Sequence, residues 1–142
     1  WMGILSNTVP ERVQTIWETV RDSREAGVEF LQSCHDEGRV VCGHEVDDVC
    51  RSFISDRGFG EFFVHRTGHS MDLELHGSGP NLDNLETRDD RLLVRGVGFS
   101  VEPGIYLPRD VGVRSEINVH WGTNGPEVTP RERQDEILLL LE

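Results

Sequence analysis

The spacing of apolar residues changes period at Gly58, and that change decides what this chain can fold into. On the N-terminal side, Val46, Val49, Cys50, Phe53 and Ile54 recur at i, i+3, i+4, i+7 and i+8, the stripe of an amphipathic helix that Gly58 closes. Further upstream, Thr8-Val-Pro-Glu11 has the make-up of a helix start: a capping side chain, an early proline and a glutamate three residues on. Val13, Ile16, Trp17 and Val20 follow at helical spacing, and Phe30 with Leu31 extends the face. A first helix is therefore expected from about residue 10 to the low thirties, ending in a turn around Gly38.

Beyond Gly58 the period is two. Phe62-Phe-Val64 is expected to be a short strand leading into His65, and further strands are expected over 97–101 and 105–107. From Val111 to Trp121, Val113, Ser115, Ile117, Val119 and Trp121 face one way while Arg114, Glu116, Asn118 and His120 face the other. Ile137 to Leu141 reads as a last, fully buried strand, and the opening Trp1-Met-Gly-Ile-Leu reads as the interior of another. Between Gly77 and Arg91 the sequence is rich in Gly, Asn, Asp and Pro, a long loop of the kind that is usually functional or mobile. Two helices followed by antiparallel strands define an α+β fold, with the helices packed on the sheet.

Length and charge narrow the function. The 142 residues suit one domain. A net charge of −12 argues against nucleic-acid or anionic-membrane partners, which require a basic face. The run Ile137–Leu141 is far short of the roughly 20 apolar residues of a membrane span, and no secretory leader pattern opens the chain. The cysteines, Cys34, Cys42 and Cys50, are odd in number and lie in or beside helical sequence, which points to a reducing, cytoplasmic setting.

Chemistry concentrates in three places. His65-Arg-Thr-Gly-His69, with His76 further on, gathers three histidines beside glycines that let backbone pack closely. Glu102 ends the apolar strand Phe99-Ser-Val and precedes Pro103-Gly104; a carboxylate there needs a cation or several donors, since burying it unpaired is expensive. Glu116 sits between Ser115 and Ile117 on the face it shares with Arg114, which is placed to orient it. A divalent metal site needs an imidazole and several carboxylates converging from separate strands, and His69, Glu102 and Glu116 are such a set.

These segments, His65-Arg-Thr-Gly-His69, Val101-Glu-Pro-Gly-Ile-Tyr106 and Gly112-Val-Arg-Ser-Glu116, resemble the signatures of the pita-bread (creatinase/aminopeptidase) metallopeptidases, family M24. The resemblance covers essentially the whole chain. The loop Asn81 to Arg91 and the Glu-Pro-Gly-Ile-Tyr-Leu-Pro stretch look closer to Xaa-Pro dipeptidase and aminopeptidase P than to methionine aminopeptidase. It implies a partial pita-bread fold, two helices on a curved antiparallel sheet, with residues 1–142 the C-terminal portion of a catalytic domain. It further implies two divalent ions (Mn, Co or Zn), His69 and Glu102 as ligands of one and Glu116 as a bridge. His65 and His76 would lie beside the scissile carbonyl, with Glu102 also relaying a proton, and the substrate would be a short peptide cut next to proline.

The same resemblance calls for two aspartate ligands upstream of the helices. Here the first aspartate is Asp22, inside the expected first helix, so the chain is expected to begin downstream of half the site and to bind metal weakly and be inactive alone. A sheet edge left uncovered on that side is expected to drive self-association. Two departures concern the pocket: Ser70-Met-Asp72 stands where the family commonly has Gly-Ile-Gly, and Gly77 where an acidic residue is common. The alternatives are a non-catalytic interaction module on the same fold and a metal-free hydrolase resembling creatinase.

Overall fold

Helix α1 (Glu11–Asp36) carries Ile16, Trp17, Val20, Leu31 and Cys34 inward on one face, and α2 (Gly43–Asp56) brings Val46, Cys50 and Ile54 against it. The computed structural model describes residues 1–141. The two helices meet closely because Gly27 faces Cys50, where an added Cβ would lie 2.8 Å from the sulfur. Ser23 Oγ also donates to the Cys50 carbonyl across this contact at 3.0 Å.

Both helix starts differ from simple capping. Pro10 is the N-cap of α1, with ψ 140°, and no side chain caps it. Thr8 is thus not the expected cap; its own N–H bonds Ser6 Oγ instead. At α2 the N-cap is Cys42, whose N–H donates to Glu45 at 2.8 Å, one half of a reciprocal capping box. Gly58, at φ 82°, then lets the chain leave α2 in a left-handed turn.

The strands form three groups. β2 (Ser70–Met71), β3 (Gly98–Val101), β6 (Ile117–Gly122) and β7 (Gly125–Thr129) make an antiparallel sheet in that order, with Phe99 opposite Val119 and Val101 opposite Ile117. β4 (Gly104–Tyr106) pairs antiparallel with β5 (Gly112–Arg114), while β1 (Gly3–Ile4) pairs in parallel with β8 (Leu138–Leu139). One core, built on Leu31, Val46, Cys50, Phe99, Val101, Val119 and Trp121, lies between the helices and the four-stranded sheet. A second, built on Ile16, Trp17, Ile54, Phe63, Ile105 and Val113, lies beneath β4 and β5. The α+β class with helices on sheet is as expected. No helix is long and apolar enough to cross a membrane among the described residues.

Three local expectations are corrected. Residues 62–64 are not a strand: Gly60–Phe62 is a turn of 3₁₀ helix, and the carbonyls of Phe63 and His65 accept from Arg51 instead of a neighbouring strand. Residues 111–121 are two strands, β5 and β6, in different sheets, although the in–out alternation of burial runs through the break. The segment 137–141 is not fully buried: Ile137 is, but Leu138 to Leu141 are about half exposed, because β8 meets only the short β1.

The loop between Gly77 and Arg91 is pinned by two buried carboxylates. Asp83 accepts the N–H groups of Leu85 and Glu86, and Asp89 accepts those of Asn81 and Arg91 together with the Arg91 guanidinium. Burial pushes the Asp89 carboxyl up, but Arg91 and the two backbone donors outweigh it and hold the group below its ordinary value of 3.8. A lowered native pKa stabilises the fold above the unfolded value, and that contribution is lost as pH falls through the native one. Asp89→Asn should therefore lower the urea midpoint at pH 7, and the gap from wild type should close as pH falls below the ordinary value of 3.8. A gap that persists unchanged in acid would contradict this account.

Candidate active site

Residues 67–71 run alongside β3, and the contact is made by backbone. Ser100 N–H donates to the His69 carbonyl at 2.9 Å, and Glu102 N–H donates to the Thr67 carbonyl at 2.7 Å. Gly68 permits this approach: a Cβ there would stand 1.9 Å from the Ser100 carbonyl oxygen. The Ser100 hydroxyl completes the seam, accepting from His69 N–H and donating to Glu102 Oε1, both at 3.0 Å. His69 and Glu102 thereby face the same space.

Glu116 arrives from the break between β5 and β6. Ser115 is buried, its N–H reaching the Pro103 carbonyl and its Oγ accepting from Arg24 on α1 at 2.6 Å. With Ser115 fixed inward, the next residue must face outward, and Glu116 is exposed on the cleft side. One ligand atom from each of His69, Glu102 and Glu116 lies within 4.8 Å of the others. Nδ1 of His69 is 3.0 Å from the Ser70 carbonyl, which can only accept, so Nδ1 is the donor there, and Nε2 is turned to Glu102 Oε1 at 3.4 Å. An imidazole nitrogen and two carboxylates meeting in this way suit a hard or borderline divalent cation. The carbonyl-anchored tautomer is the arrangement that presents a histidine as a ligand.

The remaining candidate residues line the same open cleft, of about 490 Å³, with Arg66 and Leu75. His76 packs its ring against that of His69 at 4.3 Å. His65 Nδ1 reaches the Arg66 carbonyl at 2.7 Å, so its Nε2 accepts from the Tyr106 hydroxyl at 2.9 Å. Burial raises the Tyr106 hydroxyl above its usual value of 10.0, Arg114 pulling it the other way, which keeps it a proton donor to His65 at neutral pH. Arg114 departs from the expected role. Its guanidinium lies 3.5 Å from Glu102 Oε2, so it leans toward Glu102 and Tyr106 and is not the partner of Glu116.

Tyr106, Ser100 and Arg24 were not singled out from sequence as site residues. Tyr106 stood inside the Glu-Pro-Gly-Ile-Tyr segment, but nothing local announced its bond to His65. Ser100 and Arg24 act across distances no sequence window spans. Asp22, as expected, is on α1 and paired with Arg21, away from the cleft.

The chain matches the model of metallopeptidase family M24 over residues 2–121. It is 33% identical over 106 residues to an Xaa-Pro dipeptidase of Lactobacillus delbrueckii subsp. lactis, covering 75% of this chain and 26% of that protein. The solved Xaa-Pro dipeptidase of Bacillus anthracis superposes with a TM-score of 0.82 at 31% identity, covering 95% of this chain and 35% of that one. An X-Pro aminopeptidase from Thermotoga maritima gives a TM-score of 0.78 at 30% identity, covering 98% and 35%. The chain thus spans about a third or less of the length of these proteins.

Gly68→Ala should be among the most damaging single-atom additions in this chain, because the nearest obstacle is backbone and cannot rotate away. We expect a loss of about 3 kcal/mol or more in unfolding free energy, read from urea denaturation. A variant as stable as wild type would show that the seam is looser than described.

Proposed function

Because the chain belongs to metallopeptidase family M24, we propose that it supplies part of the active site of a metal-dependent peptidase acting on short peptides next to proline. The type is that of an Xaa-Pro dipeptidase or aminopeptidase. The observation that carries the reading is the convergence of His69, Glu102 and Glu116, with Nδ1 of His69 anchored on the Ser70 carbonyl and Nε2 turned toward Glu102. His69, Glu102 and Glu116 would hold the divalent cations. When bound, such ions supply Lewis acidity toward a carbonyl oxygen and toward water.

The other side chains of the cleft supply orientation and proton transfer. His65 and His76 flank the space next to His69, where a scissile carbonyl would lie, and His76 would donate a ring N–H to oxygen as charge develops there. Both ring nitrogens of His65 are engaged, by the Arg66 carbonyl and the Tyr106 hydroxyl, so that ring would shape the wall of the site. Tyr106 fixes the His65 ring through its hydroxyl, and Arg114 steadies Glu102. Glu102, with one oxygen accepting from Ser100 and the other near Arg114, would take a proton from the attacking water and return it to the leaving amine nitrogen.

Exposed Leu138 to Leu141 on the β8 side, with Trp1 and Leu5 near β1, support self-association of the isolated chain. Sedimentation at micromolar concentration should find a dimer or larger species; a monomer counts against it.

For the peptidase reading, calorimetric titration with Mn²⁺ or Co²⁺ should detect binding to wild type that His69→Ala removes. In the complete protein, Glu116→Gln should cut hydrolysis of an Xaa-Pro dipeptide by more than about 100-fold. A complete protein that binds neither ion and leaves the dipeptide intact would sink the proposal.

A further inference from the structure

The stretch that leads into His69 is held from the helix side by two residues of α2. Asp47 and Arg51 stand one turn apart on α2, and the Asp47 side chain is fully buried. Arg51 donates from Nε to Asp47 Oδ2 at 2.8 Å and from Nη2 to Oδ1 at 2.9 Å, a two-toothed pair. This pair does not close on itself. Asp47 Oδ1 also accepts the Thr67 N–H at 2.8 Å, while Arg51 donates to the Phe63 and His65 carbonyls, each at 2.9 Å. The guanidinium further lies over the Phe63 ring, 4.2 Å from its centre.

Three hydrogen bonds therefore tie one helix turn to the backbone of residues 63, 65 and 67, the stretch between the 3₁₀ turn and His69, and two more hold Asp47 and Arg51 to each other. That stretch has no strand partner of its own until the seam with β3 begins at Thr67. Its direction is set from the helix side by a charged pair held out of water, where a displaced donor or acceptor would go unpaired. A surface Asp–Arg pair at this spacing would merely add a little helix stability. A buried one whose spare donors and acceptor all end on the same five residues has a narrower use.

We propose that Asp47 and Arg51 are positioning residues for the site: they set the path of residues 63–67 and so fix where His65 meets Tyr106 and where His69 meets Glu102. This rests on the reading of His65 and His69 as site residues. Arg51 releases the His65 carbonyl if it moves, and the ring then loses the single geometry in which Nδ1 faces the Arg66 carbonyl and Nε2 faces Tyr106. Neither residue touches the cleft itself.

Two variants separate positioning from mere stabilisation. Arg51→Lys keeps the charge beside Asp47 but cannot reach both carbonyls; Asp47→Asn keeps the shape and the acceptor for Thr67 but weakens the grip on Arg51. Long-range ¹H–¹⁵N spectra recorded above pH 8 should show His65 of wild type as a single Nδ1–H tautomer. In either variant, still helical by circular dichroism, His65 should become a mixture of tautomers. The Co²⁺ dissociation constant should rise about tenfold or more. Wild-type His65 tautomer and wild-type Co²⁺ affinity in a folded variant would overturn the inference. Where wild type binds no Co²⁺, the His65 tautomers alone decide this inference, since failure of the metal reading is read separately from the complete protein. Should both variants unfold, hydrogen exchange on wild type decides: a Thr67 amide as slow as those of α2 agrees, and a fast one refutes it.

Discussion

The contact between Gly68 and the Ser100 carbonyl is the constraint on which the rest of the cleft hangs. Main chain meets main chain there without a side chain between, so the two segments are held at a spacing that no rotamer change can relax. The bonds on either side, His69 with Ser100 and Thr67 with Glu102, then convert that spacing into the separation of an imidazole and a carboxylate. From β3 the same register passes to β6 through Val101 opposite Ile117, and the residue before Ile117 is Glu116. A single close approach thus fixes three side chains that lie far apart in sequence.

The charges around this seam are sorted by what they must do. Two arginines serve the backbone or buried hydroxyls: Arg24, almost wholly enclosed, holds Ser115 and pairs with Glu25, and Arg51 holds the approach to His69. Their charge is matched by carboxylates within contact, as removal from water demands. The acceptors facing the cleft are matched less fully: Glu102 has Ser100 and a distant Arg114, and no hydrogen bond or ion pair to Glu116 is found among the described residues. Saturated pairs underneath and unsaturated acceptors above suit a surface meant to receive a cation. The net charge of −12 is consistent with that arrangement but does not by itself reveal it.

Much of this was legible in the sequence where one element acts alone. The α2 stripe from Val46 to Ile54 and the alternation from Val113 to Trp121 each report a burial pattern set by local periodicity. His69, Glu102 and Glu116 were legible because each is embedded in a short, distinctive segment. What stayed hidden depends on partners remote in sequence. Phe62-Phe-Val64 has strand composition, yet the carbonyls on either side of Val64 are claimed by Arg51 from α2. Leu138 to Leu141 have the composition of a buried strand, yet burial needs a facing layer, and only two residues of β1 lie beside them. Thr8 has capping chemistry, but Pro10 has already set the extended backbone from which α1 starts. In each case composition reported what a residue can do, and tertiary context decided what it does.

The break between β5 and β6 shows why such a cleft tolerates strand interruption but not strand slippage. Pairing stops at Ser115 and Glu116, so the ladder gives no energetic reason for their orientation. The orientation comes from Ser115 being taken inward by Arg24 and by the Pro103 carbonyl, with Val113 and Ile117 buried on either side. A shift of one residue would put Glu116 into that apolar row and Ser115 into the cleft, exchanging a carboxylate for a hydroxyl there and burying a charge at the same time. Those two penalties fall on the same slip and reinforce each other. The position of Glu116 is therefore protected by the folding energy of the core beneath it, and the cleft needs no ladder of its own at the point where the sheets part.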